Sequence, residues 1–378
     1  MRTVRRLIYR DVVWSVVFVA LAFMSLFFFI DFLDELEDVG RNGFTLWLAT
    51  LSALLELPGR LYELFPIAVL IGAIYAMARL AQSSEFTILR TGGLGPGRAL
   101  RMLMALGALM AVLTFVVGEY LAPLGEQQIS KLKTSARGGQ SLGRIGAWLK
   151  EHRDGANGST LSYSINVQGT DARGHMRQIT IFENDGEGRL LSRTQAATGQ
   201  AGRTASGSVW RLNDVLLTRW PADAPVQDTA SAPPVHEERL PSLDWPTTLN
   251  NSVVSAAVSP IDSMSTVELW NYSRHLSNQE QTAQRYELQF WKRALYPFAC
   301  IVMIALALPF AYLHARAGGI SLKVFGGIML GISFVLLNNV AGHLGMLRDW
   351  TPWMVAAVPS LIYLGLSLAA FGWLVRYR

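Results

Sequence analysis

A chain of 378 residues that is 51% hydrophobic and 16% charged, with a mean hydropathy of +0.27, is too apolar for one or two ordinary soluble domains and reads as a membrane protein. The net charge of +5 and the pI near 9.4 would suit a nucleic-acid binder. The basic residues, however, cluster at the ends of apolar runs and form no basic face, so no nucleic-acid partner is expected. The single cysteine, Cys300, excludes an internal disulfide and a cysteine-based metal site.

A bilayer core about 30 Å thick needs roughly 20 apolar residues of helix. The first such run, Val12–Ile30, follows an Arg-rich start without a small-residue cleavage site, so it reads as a retained helix and not a signal peptide. The stretch Phe44–Ala81 is interrupted by Glu56, Pro58, Arg60 and Glu63. It predicts one span from about Arg60 to Ala81, preceded by an interfacial or re-entrant helix that Pro58 ends. Met102–Gly118 is the third span.

From Pro123 to about Gln284 the composition turns polar and Gly-rich, as expected of one inserted domain. Leu161, Tyr163, Ile165 and Val167 alternate with polar residues at the period of a half-buried strand. Arg177–Phe182 and Arg189–Thr198 predict two further strands joined across Asn184, Asp185 and Gly186. Ser208–Trp220 predicts another strand or hairpin, its phase slipping at Asn213 and Asp214. Pro221, Pro225, Pro233, Pro234, Pro241 and Pro246 mark an irregular stretch. The class is all-β, with a sandwich, a jellyroll and an open barrel equally compatible.

Helical pattern then returns. Ser265 and Glu268 have capping-box spacing ahead of Leu269, Tyr272 and Leu276. A second helix is expected from near Gln279 into the fourth span, Ala294–Leu313, with Tyr286, Phe290, Trp291 and Tyr296 as an interfacial aromatic belt and Pro297 and Pro309 as kinks. Val324–Gly342 and Trp350–Val375 complete six spans. With six, Arg2, Arg5, Arg6, Arg10, Arg79, Arg90, Arg98, Arg101, Arg316, Lys323, Arg376 and Arg378 share one side. Arg41, Arg60 and Arg348 alone occupy the short opposite loops. The positive-inside rule then places both termini in the cytoplasm and the β domain outside it.

Enzymatic signatures are missing. Gly92-Gly93-Leu94-Gly95-Pro96-Gly97 lacks the Lys and hydroxyl of a phosphate loop, the histidines are scattered, and no GxSxG or close intramembrane Asp pair occurs. No catalytic residue, metal site or cofactor of its own is expected. Three charged groups stand out instead. The acidic run Asp31, Asp34, Glu35, Glu37 and Asp38 is read as a solvated helix exit in preference to a ligand contact. Arg41, Arg60, Lys131 and Lys133 near the same membrane face suit either ordinary surface positions or a phosphorylated lipid headgroup. In the connector Gln82–Gly97, Ser83 or Ser84 can cap a short helix with Glu85 in its first turn and Gly92 at its end. Phe86 and Leu89 would share a face, either on the membrane or in a partner's groove.

Three stretches resemble the LptF/LptG family of lipopolysaccharide-exporter permeases, the G-type more than the F-type. They are Ala81–Arg90 (AQSSEFTILR) with Gly93, Gly118–Glu126 (GEYLAPLGE) and Tyr286–Arg293 (YELQFWKR) with Pro297. The resemblance extends over essentially the whole chain. It implies a membrane bundle in two parts, 1–122 with a coupling helix at 82–92 and 285–378, around a periplasmic β-jellyroll at 123–284. It also implies an inner-membrane permease that pairs with an F-type subunit, takes lipopolysaccharide from the outer leaflet, and works with a single-span LptC-like partner and a periplasmic bridge protein. Glu85, Phe86, Leu89 and Arg90 would couple to a cytoplasmic LptB-like ATPase dimer, which would hold the ATP and magnesium. Family members carry lysines along the outer end of span one, proposed to meet lipid A phosphates. Here the matching positions are Asp31, Glu37 and Asp38, which leaves phosphate contact to Arg41, Arg60, Lys131 or Lys133, to divalent cations bridging carboxylate and phosphate, or to the F-type partner. The competing functions are a non-transport scaffold or envelope sensor with a ligand-binding β domain, and a lipid-headgroup enzyme.

Overall fold

A computed structural model describes residues 2–40, 44–136, 146–154, 160–170, 175–204, 207–220, 236–249, 261–278, 283–312 and 319–377, with the isolated positions 254 and 257. Contacts divide the chain into two compact units, 1–136 with 284–378, and 137–283.

The apolar runs fold as α1 (Arg2–Leu36), α2 (Leu46–Gln82), α4 (Pro96–Val116), α7 (Gln284–Tyr312), α8 (Ile320–Leu347) and α9 (Pro352–Tyr377), with the short α3 (Glu85–Thr91) between α2 and α4. These six long helices are apolar enough to cross a membrane by length and composition. α4 continues through a π-helical turn, Val117–Leu121, into α5 (Ala122–Ala136), so the helix outlasts the apolar run that ends at Gly118. α2 is the axis of the bundle, packed by α1, α5, α7 and α8, while α7 also meets α4 and α9. Leu70, Ile74 and Met77 of α2, Leu103 and Leu106 of α4, and Met303 of α7 form the centre of the core. At Gly72 a methyl group would lie 2.6 Å from the Val16 backbone, so α1 and α2 touch main chain to main chain, as small residues allow in lipid.

The expectation that Pro58 ends a separate interfacial helix is overturned, because α2 runs unbroken through Pro58 and Pro66. A proline removes one backbone hydrogen bond. In a packed membrane helix, neighbouring helices re-satisfy the freed carbonyl and the helix continues. Tyr296, of the aromatic group expected at the interface, also packs inward. Its ring lies 5.0 Å from that of Tyr62 and its hydroxyl donates to the Glu63 carbonyl, which locks α7 to α2.

The second unit holds six antiparallel strands in sequence order: β1 (Ala147–Asp154), β2 (Thr160–Thr170), β3 (Met176–Asn184), β4 (Leu190–Thr204), β5 (Gly207–Arg219) and β6 (His236–Pro246). Every strand neighbours its sequence neighbour, so the described strands form a meander with no Greek-key crossover, and the implied jellyroll is not seen among them. The proline stretch is not uniformly irregular. Pro221, Pro225, Pro233 and Pro234 lie outside the described residues, but Pro241 and Pro246 belong to β6, an edge strand, where a missing N–H is tolerated. The phase slip at Asp214 is real, with φ +53 there and φ +49 at Gln178. The ladder skips Gln168/Gln178, Gln178/Ala197, Ala197/Asp214 and Asp214/Pro241, one unpaired line running across five strands.

Inside this unit Glu151 is fully buried. Its carboxylate accepts from the Arg153 Nε at 2.9 Å, the Thr247 hydroxyl at 2.8 Å and the Thr248 N–H at 2.9 Å. The Arg153 guanidinium in turn lies 4.5 Å from the Tyr163 ring and 4.3 Å from that of Trp245. α6 (Thr266–Asn278) opens on the expected capping box, with reciprocal bonds between Ser265 and Glu268 at 2.8 and 3.2 Å, and buries Leu269, Tyr272 and Leu276.

Candidate functional site

Six passes place both termini and α3 at one end of the bundle and the α1–α2 turn and β insertion at the other; these are called the terminal and insertion ends.

At the insertion end, Asp31 and Glu35 are four residues apart on α1 and therefore share a face. That face is turned inward, and both residues are buried. Asp31 is held bidentately by Arg60, Nη2 to Oδ1 at 2.7 Å and Nε to Oδ2 at 3.1 Å, with the guanidinium 5.6 Å from the Phe27 ring. Glu35 pairs with Lys133 of α5 at 2.6 Å. The acidic run is therefore not a solvated helix exit throughout. Asp34 and Glu37 are exposed and Asp38 half-buried, but Asp31 and Glu35 are desolvated charges that persist because they are paired. Glu56 lies within electrostatic reach of both pairs and Glu63 within reach of Arg60, so four carboxylates surround the two cations. Of the basic residues expected at this mouth, Arg60 and Lys133 are thus already engaged; Arg41 and the Lys131 side chain lie outside the described residues.

Sequence reasoning missed Lys292. It is half-buried on α7, and its ammonium fills the space beside Gly342 of α8 that any larger residue would occupy. It makes no ion pair or hydrogen bond among the described residues. The signal was present, a lysine in the quoted Tyr286–Arg293 stretch, but periodicity alone does not say that it points at a helix carrying no acid.

At the terminal end α3 covers Glu85–Thr91, shorter than the implied 82–92 because α2 runs to Gln82 with Ser83 as its C-cap, and it has Glu85 in its first turn and Gly92 at its C-cap. Ser84 occupies the N-cap position, but its side chain makes no capping hydrogen bond. It adopts φ 59, and the Ser83 hydroxyl donates to the Leu80 carbonyl. The C-terminus is a Schellman turn, Leu94 N–H to Leu89 carbonyl and Gly93 N–H to Arg90 carbonyl, both at 3.0 Å. It requires the φ of +96 that Gly93 supplies. Leu94, buried, follows the turn.

The expected shared face of Phe86 and Leu89 is directed at the chain itself, not outward. Phe86 is 3% exposed, its ring edge-on to Tyr312 of α7 at 5.0 Å, and the Arg90 guanidinium lies 5.8 Å from the same tyrosine ring. Leu89 packs against the core. The outward face is Glu85, Thr87 and Ile88, and Ile88, 68% exposed, is an apolar residue that sequence reasoning did not single out. Among the described residues no cluster of three or more His, Cys, Asp or Glu side chains is arranged to hold a metal.

A multi-helix membrane bundle interrupted by one β unit, with a short docked helix between its second and third spans, has the build of a non-catalytic transmembrane subunit. The chain belongs to the family of lipopolysaccharide export system permeases LptF/LptG, whose description matches residues 6–374. It is similar to the lipopolysaccharide export system permease protein LptG of Escherichia coli K12, 28% identical over 347 residues and 91% of each chain. It is also similar to the protein of the same name from Haemophilus influenzae, 24% identical over 364 residues and 96% of each chain.

Proposed function

We propose that this chain is the G-type permease subunit of a lipopolysaccharide export ABC transporter, with its termini and α3 in the cytoplasm and its β unit in the periplasm. The family match over residues 6–374 carries this reading. The clustering of Arg5, Arg6, Arg10, Arg79, Arg90, Arg98 and Arg101 at the terminal end supports the orientation. The exposed Glu85–Ile88 face of α3 is the coupling surface for a cytoplasmic ATPase dimer, an acidic group at a helix start beside an apolar one; ATP and magnesium belong to that partner. Phe86 and Leu89 act from behind, holding α3 on α7.

The F-type permease covers the apolar faces that α1 and α8 leave open, which include Trp14, Phe18, Phe325 and Leu336. An LptC-like single-span protein and a periplasmic bridge receive the lipid beyond the β unit. At the insertion end Lys292, like the exposed Arg285 and Arg348, is a cation that can meet a lipid phosphate without exchange of partners among the described residues. Arg60 and Lys133 reach one only by releasing Asp31 or Glu35, and Arg41 and Lys131 complete the basic set. Transport then follows from a cavity that binds lipid well when open and poorly when closed.

The test is purification of the native complex from membranes, with subunits identified by mass and ATP hydrolysis measured with and without lipopolysaccharide. An ATPase and a second permease should co-purify, and Glu85→Lys should release the ATPase, since it sets a cation where the partner offers donors. A complex without an ATPase, or hydrolysis indifferent to lipopolysaccharide, would replace this reading with the envelope sensor.

A further inference from the structure

Lys323, in the first turns of α8, is 6% exposed. It lies one turn before Gly327. Gly327 and Gly331 both press on α2, where an added methyl group would come within 2.7 Å of Ile74 and 2.6 Å of Ile67. Lys323 therefore belongs to the same α2–α8 seam, and its side chain leans toward the start of its own helix, here the terminal end. The ammonium makes no hydrogen bond or ion pair among the described residues. No side chain caps the start of α8 either. Its N-cap is Gly319, around which a methyl group would meet nothing within 4 Å. The uncapped N–H groups of the first turn add their partial positive charge to that of the ammonium.

The neighbouring surface is also cationic. Val324, the next residue, lines a groove of about 650 Å³ with Arg10, Asp11 and Trp14 of α1 and Ile71 and Arg79 of α2. Asp11 binds Arg79 at 2.8 Å, and Arg10 is exposed and makes no ion pair among the described residues. Three cations thus stand with one carboxylate where α1, α2 and α8 meet. Leu322 and Phe325, 66% and 57% exposed, flank this point and continue the apolar face assigned above to the second permease. A purely apolar helix laid on that face would seal the cations in hydrocarbon, and a buried charge persists only when it is paired. Lys323 lies roughly one helical turn, about 5 Å, in from the start of α8, so an acid reaches it from the side of the bundle and not from a protein docked on α3. A second copy of this chain does not supply one: Asp11, already bound to Arg79, is the only acid in α1 before Asp31, and α8 has none.

We propose that the second permease anchors itself to this chain by an Asp or Glu carboxylate held between Lys323 and the start of α8, with Arg10 and Arg79 as flanking cations. The proposal rests on the export reading for the existence of that partner and adds the chemistry by which the two recognise each other. The pair fixes the register of α8 against the partner and favours the heterodimer over pairing of two identical chains.

The test uses the native complex with its subunits identified by mass. A water-soluble carbodiimide, which joins an amine to a carboxylate in contact with it, should link Lys323 to an acidic residue of the second permease. Lys323→Arg keeps the charge, so the complex should assemble while the link disappears. Lys323→Met should lower recovery of the second permease about tenfold with the amount of this chain in the membrane unchanged. Lys323→Glu combined with a lysine at the linked acid should restore recovery. A second permease that co-purifies while Lys323 links to Glu85, to the ATPase or to nothing, or that is fully recovered with Lys323→Met, would overturn the anchor alone. A complex with no second permease would overturn the export reading and the anchor together.

Discussion

Replacing Phe86 with alanine separates two ways in which α3 can matter. The side chain is 3% exposed and meets Tyr312 edge-on at 5.0 Å. Truncating a buried phenylalanine costs about 3–5 kcal/mol, of which the aromatic pair accounts for about 0.5–1.5 kcal/mol. α3 has seven residues, far below the length at which a helix stands alone, so the loss falls on the connector and not on the bundle. At the lower end it makes the undocked connector about 100-fold more populated. Hydrogen exchange of the purified complex should therefore show protection lost over residues 84–94 with the spans unchanged. ATP hydrolysis should persist but become independent of lipid, since the ATPase would push on a helix no longer fastened to α7. Phe86→Leu should be intermediate. If Phe86→Ala left the connector fully protected while the ATPase dissociated, the aromatic would belong to the partner's groove and the packing argument would fail.

Three further outcomes are expected. In a double-mutant cycle read by thermal unfolding in detergent, Arg60→Ala should destabilise by about 3 kcal/mol because it strands the buried Asp31 carboxylate. Asp31→Ala should cost less because the Arg60 side chain is 37% exposed and keeps Glu56 and Glu63 within reach, and the double variant should recover most of the Arg60→Ala loss. Gly93→Ala should cost about 1–2 kcal/mol locally by forcing a Cβ into φ +96, raising exchange at the Leu94 amide while α2 and α4 stay protected. Acidification should loosen the β unit in two stages, followed by exchange of its strands. Burial holds the His275 imidazole below its ordinary 6.5, so the unfolded chain takes up a proton that the fold refuses, and stability falls as pH drops through 6.5. Burial alone would raise the Glu151 carboxyl, but hydrogen bonds from Arg153, Thr248 and Thr247 outweigh it and hold it below 4.5, so its contribution is lost at lower pH still. His275→Gln should remove the first stage and Glu151→Gln the second.

The span count was legible because hydropathy over 20 residues reports a solvent preference that packing does not reverse. Pro58 was misread because a proline's local penalty was weighed without the neighbours that relieve it. β6 was hidden by Pro241, whose missing N–H matters only if both edges of the strand are paired, and edge position is a property of the whole sheet. The capping box at Ser265 and the slip at Asp214 were readable since each is settled within a few residues. The insertion-end site was legible in residue types and wrong in arrangement. Asp31 and Arg60 are 29 residues apart and Glu35 and Lys133 are 98 apart, so nothing local pairs them. Phe86 shows the same limit, because helical spacing puts it on a face with Leu89 without saying which neighbour that face meets.

The line of skipped pairs through Gln168, Gln178, Ala197, Asp214 and Pro241 gives the β unit a mechanical grain. A sheet resists bending through its ladder bonds, and where these lapse along one transverse row the resistance is least. On either side the register is unchanged, so two stiff panels meet along a pleat: one with Trp210 and Trp245, the other with Tyr163 and Ile181. The panels are closed on each other, since the Tyr163 and Trp245 rings meet edge-on at 5.7 Å and the Arg153 guanidinium lies on both. The pleat thus fixes where the sheet turns, and flattening it would first part Tyr163 from Trp245.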